Sequence, residues 1–102
     1  MKINVNDSFK RIDGLELTMP AEGGVIKNLT IKDVCVNALL TEVEGIVTPP
    51  TEKVHRFTLS EGIYKAESEV ELKAEDVVLL KNLVGHSYGP LIVGQFYRFI
   101  GE

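Results

Sequence analysis

Two histidines, His55 and His86, and one cysteine, Cys35, are the residues of this chain best suited to hold a metal or attack a substrate. A zinc centre draws on spacings such as His-x3-His or Cys-x2-Cys, which bring ligands one helical turn or one tight loop apart onto one ion. Neither spacing occurs. A serine nucleophile would sit in a Gly-x-Ser-x-Gly elbow, and a phosphate cradle would need a Walker loop or dinucleotide fingerprint. None is present. Cys35 stands in an apolar helical stripe, where a lone thiol packs as a small hydrophobe instead of ionising. The expectation is a chain with no catalytic residue, no cofactor and no metal site, and so not an enzyme.

Three weaker features remain. Gly85-His86-Ser87-Tyr88-Gly89-Pro90 precedes a predicted helix, whose first backbone donors favour anions; the plainer reading is an inter-helix turn. Glu67, Glu69, Glu71, Glu75 and Asp76 form a dense acidic set. Glu69 and Glu71 share one face of a short strand and offer a surface to a basic partner, or merely keep an edge strand from aggregating. Residues 90–100 are nearly apolar all round apart from Gln95 and Arg98. Such a helix must be wrapped by its own domain or by a second chain. Phe96, Tyr97, Phe99 and Ile100 are therefore the expected contact residues, through a protein partner or through self-association.

The totals narrow the class further. The 102 residues, 44% apolar and 25% charged, suit one globular domain spanning 1–102. Eleven basic residues against 15 acidic ones give a net charge of −4. Binding nucleic acid rests on Lys and Arg neutralising phosphates, and the same balance opposes docking on an anionic membrane. Neither partner is expected. The N-terminal residues lack the apolar stretch of a secretion signal, and no run approaches the ~18 apolar residues of a membrane span. A cytoplasmic location follows as an expectation.

These features must be positioned by a small set of elements. Ile3 and Val5 alternate with polar neighbours, as in a half-buried strand. Asp13-Gly14 between two short β-like runs predicts a two-residue hairpin that turns Leu15, Leu17 and Met19 inward, until Pro20 and Gly23-Gly24 break the strand. Thr30 with Asp33 predicts a capped helix whose Ile31, Val34, Cys35, Ala38 and Leu39 form one buried stripe, stopping by Gly45. Residues 46–50 read as a connector, followed by a helix from a Thr51 cap to about Ala66. That helix carries Val54, Phe57 and Tyr64 on one side, Leu59 and Ile63 on another. Residues 68–72 alternate as a strand that adds to the N-terminal hairpin. A third helix over 74–84 ends at Gly85, and Pro90 opens the fourth. The predicted class is α+β: an N-terminal β-hairpin and short strands in a small antiparallel sheet, packed on about four helices.

Residues 29–40 (LTIKDVCVNALL), 52–57 (EKVHRF), 70–76 (VELKAED) and 90–95 (PLIVGQ), with the Asp13-Gly14 hairpin, resemble a type of small accessory protein encoded by tailed bacteriophages and prophages. The resemblance implies a protein of the bacterial host cytoplasm, mostly of unassigned role, and brings no catalytic residue with it. The leading expectation is a non-enzymatic interaction protein serving virion assembly or host takeover. The alternative is an acidic inhibitor of a host nucleic-acid-processing enzyme, acting through Glu69 and Glu71.

Overall fold

The computed structural model describes residues 1–42 and 47–101. In chain order they form β1 (Lys2–Asn4), β2 (Thr18–Pro20), a tight 3-10 turn (Glu22–Gly24), β3 (Ile26–Asn28), α1 (Ile31–Leu40), α2 (Pro50–Lys65), β4 (Glu69–Glu71), α3 (Ala74–Ser87) and α4 (Pro90–Phe99). Four helices with short antiparallel pairs make this a small α+β fold. The strands form two separate two-stranded ladders, β1 with β4 and β2 with β3, instead of one sheet.

The first ladder joins the two ends of the chain's β-like sequence. Ile3 lies opposite Val70 and Asn4 opposite Glu69. Backbone bonds extend the pairing at either end, from Leu72 N–H to the Met1 carbonyl (2.6 Å) and from Val5 N–H to the Ser68 carbonyl (2.8 Å). The alternation at 68–72 is thus used as predicted, but its partner is the opening strand and not the Asp13-Gly14 hairpin. Ile3, Val5 and Leu72 point into the core.

The Asp13-Gly14 reversal exists, in a different register. Lys10 bridges Glu16, and Arg11 N–H donates to the Leu15 carbonyl at 2.7 Å. A two-residue turn would have set Ile12 against Leu15. That turn needs positive φ at both central residues, and here only Gly14 has it (φ 89°). The loop takes a third residue instead, with the Asp13 carboxylate accepting from Leu15 N–H at 3.1 Å. Leu15, expected inside, is exposed because it closes the loop at the far end of the hairpin, beyond the core that Leu17 reaches, and Ile12 projects at the tip. Leu17 still packs on the core and Met19 is half-buried.

Gly23 and Gly24, at φ 74° and 76°, do more than break a strand. They turn the chain back so that β3 pairs with β2, Met19 opposite Lys27. This second strand was not predicted, because Ile26 and Val25 are isolated apolar residues in a polar stretch and both remain exposed.

Helix α1 matches its sequence closely. The Asp33 carboxylate accepts from the Thr30 backbone N–H (3.1 Å) and hydroxyl (2.9 Å), closing the N-terminus. Ile31, Val34, Cys35, Ala38 and Leu39 are all buried. The helix ends at Leu40; the expected stop at Gly45 and the start of the connector at Ile46 lie outside the described residues.

Helix α2 begins two residues earlier than the expected Thr51 cap implied, inside the stretch read as a connector. Pro50 takes the first helical position, where its missing N–H costs nothing, and Pro49 precedes it in extended conformation. Helix α3 likewise runs through Gly85 to Ser87. Gly85 has no need of positive φ there, so the apolar i, i+4 pair Leu80 and Val84 carries the helix one further turn.

The core lies where α1 packs on α2 and α3, closed by the N-terminal segment and α4. Phe9 and Phe99 meet edge to face, 5.3 Å between ring centroids at 82°. Gln95 fixes α4 to the hairpin by accepting from Lys10 N–H (2.8 Å) and donating to the Lys10 carbonyl (2.7 Å). Among the described residues no helix is long and apolar enough to cross a membrane.

Candidate functional site

The terminal helix, expected to present contact residues, is largely spent on the core. Phe96 is fully buried, Ile100 is buried, and Tyr97 and Phe99 are half-buried within the single chain. The reason is geometric: Phe96 and Ile100 stand at i, i+4, the inward stripe of a helix, and Phe99 meets Phe9 beside them. The exposed positions on α4 are Pro90, Leu91, Gly94 and Arg98, so Phe96 and Ile100 offer no contact surface.

The acidic set is divided by the fold. Glu67, Glu69, Glu71 and Glu75 are exposed. Glu69 and Glu71 share the outward face of β4, but Glu71 lies opposite Lys2 and 3.5 Å from the chain's amino terminus. Asp76 is buried in the first turn of α3 and forms a 2.8 Å hydrogen bond with His55 Nε2 on α2. His55 is therefore an inter-helix tie. The hydroxyls of Thr58 and Ser60 on the same helix donate to the Val54 (3.0 Å) and Phe57 (2.8 Å) carbonyls.

The other chemical candidates are equally absorbed. Burial pushes the Cys35 thiol up to about 12, so it carries no thiolate at neutral pH. Gly85, His86 and Ser87 belong to α3, so the inter-helix turn is only Tyr88 and Gly89, and His86 and Ser87 do not stand in the loop before α4. Tyr88 instead accepts a 2.8 Å hydrogen bond from the Asn37 side chain, and burial raises its phenol above the ordinary range. Among the described residues no three of His, Cys, Asp and Glu come together as metal ligands.

What the fold leaves open is the outer face of α2. Its inward stripe is Arg56, Ser60 and Ile63, with Leu59 half-buried. On the opposite side Val54, Phe57 and Tyr64 stand 66%, 58% and 66% exposed. With Glu61 they occupy i, i+3, i+7 and i+10, the a/d spacing of a coiled-coil seam. The seam spans ten residues, about 15 Å of helix. Glu61 lies 3.4 Å from Lys65 on the same face, and Lys53 at the other end is held by Glu42 at 2.7 Å. Periodicity alone had shown two apolar sides to this helix without saying which would be covered. The choice follows from neighbours: small Ser60 lets α1 approach closely, whereas Phe57 and Tyr64 would hold the helices apart.

The second open feature is a cavity of about 510 Å³ between the first turns of α2 and the second half of α3. Glu52, Arg56, Asn82 and His86 supply its polar groups, and Leu79 and Leu83 part of its apolar wall. The Arg56 side chain is only 9% exposed. Its Nη2 lies 3.5 Å from Glu52 Oε2, and its Nε is buried without a hydrogen-bond partner among the described residues. Nothing in the sequence flagged Arg56, since an isolated arginine in a polar helix reads as surface. Its one signal was position, in line with Ser60 and Ile63 on the covered side.

Several exposed cations elsewhere are engaged. Lys10 pairs with Glu16, Arg11 with Asp13, and Lys27 with Asp33. Comparison of the chain with protein-family models, curated proteins and solved structures finds no match.

Proposed function

We propose that this is a non-enzymatic interaction protein whose contact surface is the outer face of α2, and that its partner is an amphipathic helix of another protein. One observation carries the reading: Val54, Phe57 and Tyr64 form an exposed apolar seam at coiled-coil spacing along one helix. Large exposed aromatics cost solubility, and within the chain Phe57 and Tyr64 are only partly covered, Tyr64 by the Lys32 ammonium 5.7 Å from its ring centroid, so a docking role accounts for their exposed area.

The seam also describes its occupant. Glu61 interrupts the apolar row, and a partner residue opposite it would have to be basic to offset its desolvation. A second copy is the poorer fit. Antiparallel pairing about a two-fold axis sets Val54 against Tyr64, but it brings both Glu61 carboxylates against the Phe57 rings, each without a new cation. A helix with leucines at its own a and d positions and a lysine facing Glu61 answers every feature of the face.

The resemblance to small phage and prophage proteins directs the search for that partner to infected or lysogenic bacterial cytoplasm, in virion assembly or host takeover. Inhibition of a nucleic-acid enzyme through Glu69 and Glu71 has less in its favour. Asp76 is withdrawn into the fold and Glu71 is partly compensated, so fewer free carboxylates remain to imitate phosphates.

The test uses a defined probe, a fluorescent helical peptide with leucines at a and d and lysine opposite Glu61. Anisotropy titration should give saturable binding that falls at least ~10-fold in Phe57→Glu. A Glu-for-Lys version of the peptide should also bind at least ~10-fold more weakly. Absence of saturable binding, or binding indifferent to Phe57→Glu, overturns the reading. A concentration-dependent dimer abolished by Phe57→Glu would assign the face to self-association instead.

A further inference from the structure

The cavity beside Arg56 has the makings of a ligand site independent of the α2 seam. A guanidinium carries five N–H donors, and its charge is costly to bury unless paired at short range. Charge-assisted N–H···O bonds run about 2.7–2.9 Å. Among the described residues the hydrogen-bond contact to Arg56 is that from Glu52 at 3.5 Å, Glu42 attracts the guanidinium only from further off, and Nε has no partner. A nine-tenths-buried cation is thus under-compensated on the wall of a cavity that has room for a ligand. At about 510 Å³ that cavity lies within the range that holds small organic molecules.

We infer that the cavity binds a small amphipathic monocarboxylate, its carboxylate on the Arg56 guanidinium and its apolar body against Leu79 and Leu83. Three features select this class. Nε is shielded from solvent, so a ligand reaches the guanidinium from its Nη end, where a planar carboxylate meets two donors at once. Glu52 stands beside those donors and repels a dianion such as phosphate more strongly than a monoanion. The leucines offer nothing to a fully hydrated inorganic ion, whereas an aryl or alkyl body displaces water from them. Asn82 and His86 complete the polar side, both exposed at the rim where they can meet a second oxygen.

Titration of the isotopically labelled full chain with three probes, followed by amide NMR shifts, tests this. Benzoate carries both features, benzamide the body without the charge, and inorganic phosphate the charge without the body. Benzoate should shift amides of the first turns of α2 and of α3 around Asn82 saturably below about 10 mM, with the other two at least ~10-fold weaker. Arg56→Lys keeps the charge and loses the planar fork, and should weaken benzoate by a similar factor. Because a change at a buried arginine can unfold the chain, Asn82→Asp serves beside it. That residue is exposed, and the added negative charge should weaken benzoate at least ~5-fold without altering the melting curve. No saturable shift with benzoate, equal binding of benzamide or of phosphate, or indifference to Asn82→Asp would each overturn the assignment.

Discussion

Truncating Phe96 and Phe57 to Ala, one at a time, separates the buried helix from the exposed one. Phe96 is fully enclosed by its own chain, so Phe96→Ala loses the transfer energy of the ring and leaves a cavity, about 3–5 kcal/mol. Phe57 is 58% exposed and its ring closes no core. Burying a whole phenylalanine is worth about 1.5–3 kcal/mol, so the covered part of Phe57 contributes about 1 kcal/mol at most. Alanine recovers roughly half of that through its better helix propensity. The net change should be within about 0.5 kcal/mol. Urea unfolding followed by circular dichroism reads both. With a slope of about 1.5 kcal/mol/M, Phe96→Ala should lower the midpoint by about 2–3 M, while Phe57→Ala moves it by less than about 0.5 M. A loss of that size is a large part of a small domain's total of 5–15 kcal/mol, typically. Phe96→Leu, costing about 1.5 kcal/mol or less, therefore provides a folded companion. If Phe57→Ala destabilised as much as Phe96→Ala, the α2 face would be core and the proposed contact surface would fall.

Two further predictions test local features. Burial alone would raise the Asp33 carboxyl, but hydrogen bonds from the Lys27 ammonium and from the Thr30 backbone and hydroxyl outweigh it and hold it below the usual carboxylate range. Its stabilisation is therefore complete above the unfolded value near ~4 and is lost as pH falls through the lower folded value. Asp33→Asn should cost about 0.5–1 kcal/mol at pH 7 and flatten that part of the acid limb of the stability curve; an unchanged limb would refute the cap's role. Gly85 lies within α3, exposed and with open space where a Cβ would go. Gly85→Ala should raise stability by about 0.5 kcal/mol in thermal melts, whereas destabilisation would mean the helix ends there after all.

How much of this was legible beforehand depends on how local each cause is. The α1 stripe and its Thr30–Asp33 start could be read because one periodicity and one cap, both within twelve residues, point the same way. The strand at 68–72 was equally legible, yet its partner was not. Pairing with residues 1–5 is decided by chain closure over some seventy positions, and period-2 alternation says nothing about that. In the hairpin, the Asp13-Gly14 pair predicted the reversal and missed its register. A single extra loop residue, set by the sign of φ at Asp13, shifts the pairing, and Leu15 ends beside the loop where no core element reaches it.

The functional surfaces divide in the same way. Composition and missing motifs argued by themselves against metal, nucleophile and phosphate chemistry, since those need residue types that can simply be counted. The apolar stretch at 90–100 announced a helix that must be covered, but only packing shows that the chain's own core covers Phe96 and Ile100. Helix α2 offered two apolar sides, and contact with α1 consumed the one bearing Ser60 and Ile63, leaving Val54, Phe57 and Tyr64 in water. The Arg56 cavity was wholly invisible, because Glu52 and Arg56 come to face Asn82 and His86 only when α2 and α3 both pack on α1. Sequence determines which faces a helix possesses; which of them is left uncovered, and what cavity forms between two helices, is decided by the tertiary competition for the same core.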